Sequence, residues 1–491
     1  MGIIAGIMAQ PGERIAVRAG GSAISYARLV ADLDAATARF RAEGVGKGAT
    51  VGIRAGAADN GHSYANWIAH LAVMKIGGAH VSMTDRASLR ASLQAGRVDL
   101  VIGNFESLID VPKSVRRIEF QVDPAAAAET ADGGVNEESK ARRLNLTSGT
   151  TGKPKFIAWD AAMIDRRVAQ VADGSLINPD TRLFPLLHLR TTAGFRYPLA
   201  VWLAGGCVLL PRARNGLERD REALRQSNLV ACSPPQLKER LAGIPGEWPE
   251  RESRTIVLLG GRLPAGMREA ALQRACSRLL ISYGATETGS IAVGDHDIVA
   301  RHPGAVGFLR PGVTVEIAGP KGEPVPAGQP GFVRIRSDVM VASYEGSSEA
   351  ESGGHFRDGW FYPGDIGRLY ADGLLAIDGR AGDTLNLGGW KVNANDLEAK
   401  VAEFPGIKDV CAVTMQLDEG DVLTFGIVAD GQIDLAALRA RIHAMLSKSR
   451  PFHVIRLPSV PRNAMGKIPR ALIASQLAAL YGARKKSAAN A

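Results

Sequence analysis

Cysteine is scarce in this 491-residue chain: there are four, Cys207, Cys232, Cys276 and Cys411, far apart and with no CxxC pair. That spacing excludes a cysteine-based zinc site and a disulfide framework, and it suits a reducing, cytoplasmic setting. Clusters of arginine and lysine interleaved with aromatics are missing too, so no nucleic-acid surface is expected. The longest uncharged run, Tyr197 to Pro211, is too short to cross a bilayer and carries Gly205-Gly206, so no membrane span is expected. The leading "MGIIAGIMAQPGERIAV" lacks a basic region and soon meets Pro11 and Glu13, which argues against a secretory signal. No repeat of 20–50 residues is present.

The chain is too long for one ordinary core, which predicts two or more domains. Hydrophobic residues at 46% and charged residues at 22% give a globular balance and no case for wholesale disorder. The net charge of +9 is spread along the sequence, apart from Arg484-Lys485-Lys486 near the C-terminus, which reads as a solvated tail. A diffusely basic surface suits anionic ligands such as nucleotides.

"ISYARLVADLDAATARF" places Tyr26, Leu29, Leu33, Ala36 and Phe40 at helical spacing behind Ser25 as an N-cap. A second helix is expected through "YANWIAHLAVMKIG", ending at Gly77-Gly78. Short apolar strands, "ATVGI", "HVSM", "DLVIG", "CVLLP", "LVACS" and "TIVLLGG", alternate with helical segments, the pattern of an α/β layered domain with parallel sheets. "PAAAAETADGGVNEESK" reads as a loop. After about residue 305, "VTVEIAG", "GFVRIRS" and "GLLAIDGR" form a β-rich stretch. A compact α+β tail follows: a helix near Asp396 to Val401, strands "VCAVTM" and "LTFGIV", a helix near Leu435 to Met445 and a last helix from about Arg470. The strand pattern breaks at "DGRAGD", which divides the chain into 1–379 and 380–491.

"LNLTSGTTGKPK", Leu144 to Lys155, carries hydroxyls, glycines and lysines behind an apolar run. It is not a Walker A loop: Gly149 stands only three positions before Gly152, and Pro154 follows Lys153, where a P-loop would begin its helix. What remains is a hydroxyl-and-glycine loop able to wrap a triphosphate with backbone N–H groups, hydroxyls and Lys153 or Lys155. Alone, such a loop reads equally well as a plain surface loop.

Five motifs in order decide between these readings: "TSGTTGKPK", "YGATETG", "GWFYPGDIG", "GRAGDTLNLGGWKV" and "RNAMGKIPR". With them the chain resembles the adenylate-forming superfamily of acyl-CoA synthetases, luciferase and peptide-synthetase adenylation domains. The resemblance implies a large N-terminal α/β domain of layered subdomains with a β-rich subdomain, followed by a small mobile α+β C-terminal domain. It also implies a two-step reaction. A carboxylate attacks the α-phosphate of ATP to give acyl-AMP and pyrophosphate, and a thiol, by default that of coenzyme A, then displaces AMP.

The resemblance assigns residues as follows. Thr147, Ser148, Gly149, Thr150, Thr151, Gly152, Lys153 and Lys155 would hold phosphates. Thr286 would contact the α-phosphate and Glu287 would hold Mg²⁺, a single carboxylate beside phosphate oxygens being typical for that ion. Tyr283, with Gly284 beside it, would stack on adenine, while Gly260, Gly261 and Arg262 line the base pocket. Asp365 and Arg380 would grip the ribose. Gly382 sits at the hinge, and Gly388 and Gly389 face the thiol tunnel. Lys467 would bridge the substrate carboxylate and α-phosphate, and His188 would mark the entrance of the acyl pocket. Standing alone, each of these residue types reads as a turn, a salt bridge or a solvated side chain.

Three departures from the family pattern stand out: Pro363 before Gly-Asp, Phe156 in place of a glycine after the phosphate loop, and only about 146 residues ahead of that loop, which suggests trimmed substrate-side structure. Phe184 to Val201 contains no Asp, which disfavours an amino-acid substrate. In the same segment Arg190 and Arg196 leave two readings open, surface charge or pairing with a second substrate carboxylate. A carrier-protein phosphopantetheine is the alternative acceptor, with no carrier domain expected in this chain. A non-catalytic nucleotide-binding regulator is the alternative from another class, and its mark would be loss of Lys467, Glu287 or Asp365.

Overall fold

The computed structural model describes residues 2–54, 61–84, 86–126, 131–147, 155–172, 176–210, 216–261, 263, 265–302, 304–346, 354–387, 390–417, 420–446, 451–462, 468 and 470–489. They form two compact units. The first comprises Met1–Val315, Arg334–Tyr362 and Tyr370–Ala376, and the second Glu316–Val333, Pro363–Leu369 and Ile377–Ala491.

In the first unit, one sheet contains strands β1 (Thr50–Arg54), β2 (Ala79–Met83), β3 (Leu100–Gly103), β4 (Arg116–Glu119), β5 (Arg142–Thr147) and β6 (Lys155–Asp160), in the order β4-β3-β1-β2-β5-β6. All neighbours are parallel except the last pair. β5 and β6 are antiparallel, with Thr147 opposite Lys155, so the two ends of the hydroxyl-and-glycine loop are pinned side by side. A strand, not a helix, follows the loop, as the failure of the Walker pattern requires. Phe156 points into a core cluster with Val81, Met83 and Leu144, which accounts for a large apolar residue where the family pattern has glycine.

A second sheet contains β7 (Arg182–Pro185), β8 (Cys207–Leu210), β9 (Leu229–Cys232), β10 (Thr255–Leu259) and β11 (Arg278–Ala285), all parallel, in the order β11-β10-β9-β7-β8. β12 (Gly289–Asp295) pairs antiparallel with β11. The strands read from sequence as uninterrupted apolar runs are buried along their lengths, as parallel strands covered on both faces must be.

Helices fill the space beside these sheets. Ser25 caps Tyr26–Ala42 by accepting from Arg28 N–H. α1 (Tyr64–Ile76) is capped by Ser63 and ends at Gly77, whose φ of +82° only glycine adopts readily. It is buried on nearly every side, so its apolar residues show no single stripe. α2 (Ala161–Ala172) and α3 (Thr192–Leu203) pack against one another. Trp67 of α1 stacks on Phe195 of α3 and meets Trp202 edge-on, with ring centroids 5.7 and 4.9 Å apart.

In the second unit, strands Ile407–Leu417 and Gly420–Ala429 form an antiparallel pair, and Phe452–Arg456 joins the latter in parallel. Helices Ala394–Ala402 and Leu435–Met445 cover this sheet through Leu397, Val401, Leu438 and Ile442. The last helix, Arg470–Ala489, packs through Ile473 and Leu477 against Cys411, Val413 and Met415. The run Arg484-Lys485-Lys486 continues that helix. Among the described residues, no helix is long and apolar enough to cross a membrane.

Candidate active site

Parallel sheets present their ligand sites beyond the carboxyl ends of their strands. Beyond β7 lies the segment with His188 and Arg190, beyond β10 lie Gly260 and Gly261, and beyond β11 lies the Thr286–Thr288 turn. Three stretches named from sequence therefore share one sheet edge. Tyr283 and Gly284 sit on β11 at a register shift against β12. A Cβ at Gly284 would meet the Gly289 carbonyl oxygen at 2.1 Å, so the hairpin closes this tightly only with glycine there.

A three-residue turn would ordinarily leave a glutamate free to swing. Here the Thr286–Glu287 turn is held from two sides. The fully buried Arg167 of α2 donates from Nη1 to Thr286 O at 2.7 Å and from Nη2 to Glu287 O at 2.8 Å. It also donates to Val339 O from Nε at 3.0 Å and from Nη2 at 2.6 Å, and its guanidinium lies 4.3 Å from the Trp159 ring centroid. From the other side, Val341 N–H donates to Glu287 O at 3.0 Å, and Tyr344 Oη donates to Glu287 Oε1 at 3.0 Å. The Lys155 ammonium sits 4.4 Å from the centre of the Tyr344 ring, within cation–π range. Burial, then the Glu287 charge and hydrogen bond, push the Tyr344 hydroxyl well above its ordinary pKa, so it remains a donor. Among the described residues Glu287 Oε2 shows no hydrogen bond, so it could take a cation, and one protein carboxylate suits Mg²⁺ that keeps phosphate and water as its other ligands. The donor set fits that ion.

Behind the His188 segment lies a fully buried polar network. His62 Nε2 donates to Leu187 O at 2.6 Å, and its Nδ1 accepts from Trp67 Nε1 at 3.2 Å. With a carbonyl on one side and an indole N–H on the other, the ring is held neutral, and burial lowers its pKa to about 4. His70 Nδ1 pairs with His80 Nδ1 at 2.7 Å and His70 Nε2 with Ser82 Oγ at 3.0 Å. Burial drives both pKa values well down. Arg143 donates to Leu189 O at 2.8 Å and to Asn145 Oδ1 at 3.1 Å, with its guanidinium 3.7 Å from the Phe195 ring centroid. Burial lowers its pKa to about 9.

His188 is half-buried, and its carbonyl accepts from the Thr191 hydroxyl and N–H at the start of α3. Of the two arginines left open, Arg190 is half-buried and Arg196 is 3% exposed. The surface reading of Arg196 is therefore corrected. Its Nη1 donates to Arg167 O at 3.2 Å and its Nε to Thr192 O at 3.3 Å, because α3 turns this face inward against α2.

In the second unit Asp365 is buried and pairs with Arg380, Nε to Oδ1 at 3.2 Å. The two residues named as ribose contacts thus orient one another. Pro363 leads into Gly364, whose carbonyl accepts from Ala381 N–H at 2.8 Å. Gly379 has φ +152°, and a Cβ there would meet Asn393 Nδ2 at 1.9 Å, so glycine lets Asn393 reach the Asp378 carbonyl at 2.8 Å. Gly382 lies in a 3-10 turn, Ala381–Asp383. Arg470, three residues after Lys467, binds Asp383 Oδ1 at 2.9 Å, Asn395 Oδ1 at 2.8 Å, Ala412 O at 2.7 Å and Glu398 Oε1 at 2.5 Å. Burial opposes its charge, but Glu398 and Asp383 more than offset that and raise its pKa.

Ser148, Gly149, Thr150, Thr151, Gly152, Lys153, Arg262, Gly388, Gly389 and Lys467 lie outside the described residues, as does the side chain of Thr147. Arg167, Tyr344 and Arg470 were not singled out from sequence. Arg167 did carry a signal, since it shares the inward phase of α2 with Ile164 and Val168, where a charge needs a reason. All four cysteines are free and buried. Burial pushes the Cys207 and Cys411 thiols up to about 11, and Cys232 and Cys276 up to about 12, so none is a reactive thiolate.

The model of the AMP-binding enzyme family matches residues 6–345. The indoleacetate–CoA ligase of Aromatoleum aromaticum is 26% identical over 330 residues, which span 66% of this chain and 64% of that enzyme. A medium/long-chain-fatty-acid–[acyl-carrier-protein] ligase, FadD10 of Mycobacterium tuberculosis, is 26% identical over 95% of this chain and 93% of its own length. The crystal structure of ATP-bound MatB from Rhodopseudomonas palustris superposes with a TM-score of 0.82 at 21% identity, covering 97% of this chain and 99% of that one, a likeness of fold.

Proposed function

The chain belongs to the AMP-binding enzyme family, and on that premise we propose that it is an ATP-dependent acid–thiol ligase. It would activate a small-molecule carboxylic acid as acyl-AMP and pass the acyl group to coenzyme A. The observation that carries this reading is the meeting of two motifs at one tyrosine. Lys155 of the phosphate loop lies over the ring of Tyr344, and the hydroxyl of Tyr344 holds Glu287 of "ATETG". A cation and a metal-binding carboxylate held this way suit a site where two anions, carboxylate and α-phosphate, must approach each other.

Thr286 would serve the α-phosphate and Glu287 the Mg²⁺, which when bound would neutralise phosphate charge. Tyr283, with Gly260, Gly261, Gly284 and Arg262, would take the base, and Asp365 and Arg380 the ribose. Lys467 would serve acyl-adenylate formation. Gly382, Gly388 and Gly389 would serve the thiol step, with 1–379 and 380–491 as the two domains that exchange roles. His188 and Arg190 would border the acyl pocket. A regulator is disfavoured because Glu287, Asp365 and Lys467 are all retained. Four free, buried thiols suit the cytoplasm.

The acceptor is coenzyme A in the name of the A. aromaticum relative and an acyl carrier protein in that of the mycobacterial one. The test is to incubate the protein with MgATP, a panel of aryl, alkyl and dicarboxylic acids, and either coenzyme A or a phosphopantetheinylated carrier protein. AMP and acyl-CoA formed in equal amounts support the proposal. Acyl transfer to the carrier alone would replace the acceptor, and ADP as product would sink the reaction class.

A further inference from the structure

Arg167 is a buried cation with an unusual set of acceptors. Among the described residues its four hydrogen bonds all end on main-chain carbonyls, those of Thr286, Glu287 and Val339. Burying a guanidinium costs free energy unless it is well satisfied. A role confined to packing could be met by an apolar residue at this inward position, next to Ile164 and Val168. What an apolar residue could not do is grip three carbonyls from two different segments at once. The rigid fork of an arginine can, and a lysine, with its single compact ammonium, cannot reproduce that geometry.

Two of the carbonyls belong to the consecutive residues Thr286 and Glu287, and the third belongs to Val339. Val339 lies shortly before Val341 and Tyr344, which bind the Glu287 main chain and carboxylate. Arg167 thus fastens the Glu287 turn to the very segment that aims the Glu287 side chain. It touches neither side-chain oxygen of that glutamate in the hydrogen bonds observed, so it acts through position. Its own backbone carbonyl accepts from Arg196, which ties the clamp to α3 and the acyl segment.

We propose that Arg167 is the positioning residue that sets Glu287 for magnesium-dependent ATP binding. This rests on the reading of Glu287 as the metal carboxylate. Partners that orient a metal ligand typically contribute 10–100-fold to metal affinity. The binding of AMP, which needs no metal, should be spared.

The test measures equilibrium binding to the full chain of ATP across a magnesium titration, and of AMP without metal. It compares wild type, Arg167→Lys, Glu287→Gln and the double variant. Arg167→Lys should raise the half-saturating magnesium concentration about 10-fold and change AMP affinity less than about twofold. In the Glu287→Gln background it should add nothing, because the group it positions is gone. An unchanged magnesium dependence in Arg167→Lys, an equal loss of AMP and ATP binding, or an undiminished effect on top of Glu287→Gln would overturn the proposal. Should Arg167→Lys fail to fold, Arg167→Gln, which retains two N–H donors, takes its place. Failure of both to fold assigns Arg167 to the core and overturns it too. If wild-type ATP binding ignores magnesium, or Glu287→Gln leaves its dependence intact, the metal reading of Glu287 itself is wrong.

Discussion

Tyr344 Oη donates to Glu287 Oε1 at 3.0 Å while the Lys155 ammonium rests 4.4 Å from the centre of the same ring. One side chain therefore braces the carboxylate of one motif and the lysine of another. Tyr344→Phe keeps the ring and the cation–π contact and removes only the hydrogen bond. Because that bond has a charged acceptor, the loss is on the order of 1.5–3 kcal/mol. The variant should need roughly ten times more magnesium for half-maximal ATP use, with its thermal midpoint little changed. An unaltered magnesium dependence would show that Glu287 needs no brace.

The buried histidines make stability sensitive to acid. His62 is neutral in the folded protein, its pKa lowered by burial to about 4, while the unfolded chain protonates near 6.5. The unfolded state therefore binds more protons between these values, and stability falls as pH drops through that window. His62 alone accounts for roughly 3 kcal/mol, and His70 and His80 act in the same direction. Urea midpoints should be flat above about pH 7 and drop steeply toward pH 5, and His62→Gln should drop less steeply. A midpoint that rises on acidification would contradict the neutral-imidazole assignment.

Arg470 holds the start of the last helix to Asp383 and Glu398. Arg470→Ala would leave two largely buried carboxylates without their cation, a loss of about 3–5 kcal/mol. Hydrogen exchange should quicken across 394–429 and leave α1 and α3 unaffected. Uniform protection in both units would show that Arg470 is dispensable.

Lys467 and Gly389 should separate the half-reactions. Lys467→Ala is expected to slow acyl-AMP formation on the order of 10²–10³-fold, yet still pass the acyl group from supplied acyl-AMP to thiol. Gly389→Trp should do the reverse, blocking thiol entry and sparing adenylation. Equal loss of both steps in both variants would contradict domain alternation.

Much of the fold was legible because its signals are local. Ser25 capped its helix, Gly77 ended α1, and the apolar runs became parallel strands. The candidate site could be read from sequence where a motif is contiguous, as with Thr286 and Glu287, whose roles toward phosphate and metal are proposed. Arg167 and Tyr344 were not, because each matters through a partner far away in sequence. Neither composition nor periodicity reports which carbonyl a buried guanidinium will meet. Arg196 misled for the same reason: an arginine reads as surface until the fold turns that face of α3 against α2.

ATP–pyrophosphate exchange tests carboxylate adenylation by this protein most directly. Wild-type protein, given magnesium and a panel of carboxylic acids but no coenzyme A, should return labelled pyrophosphate to ATP only when an accepted acid is present. Glu287→Gln should abolish the magnesium dependence of that exchange. Exchange that proceeds without any acid, or none with any acid while MgATP still binds, would contradict carboxylate adenylation as this protein's chemistry.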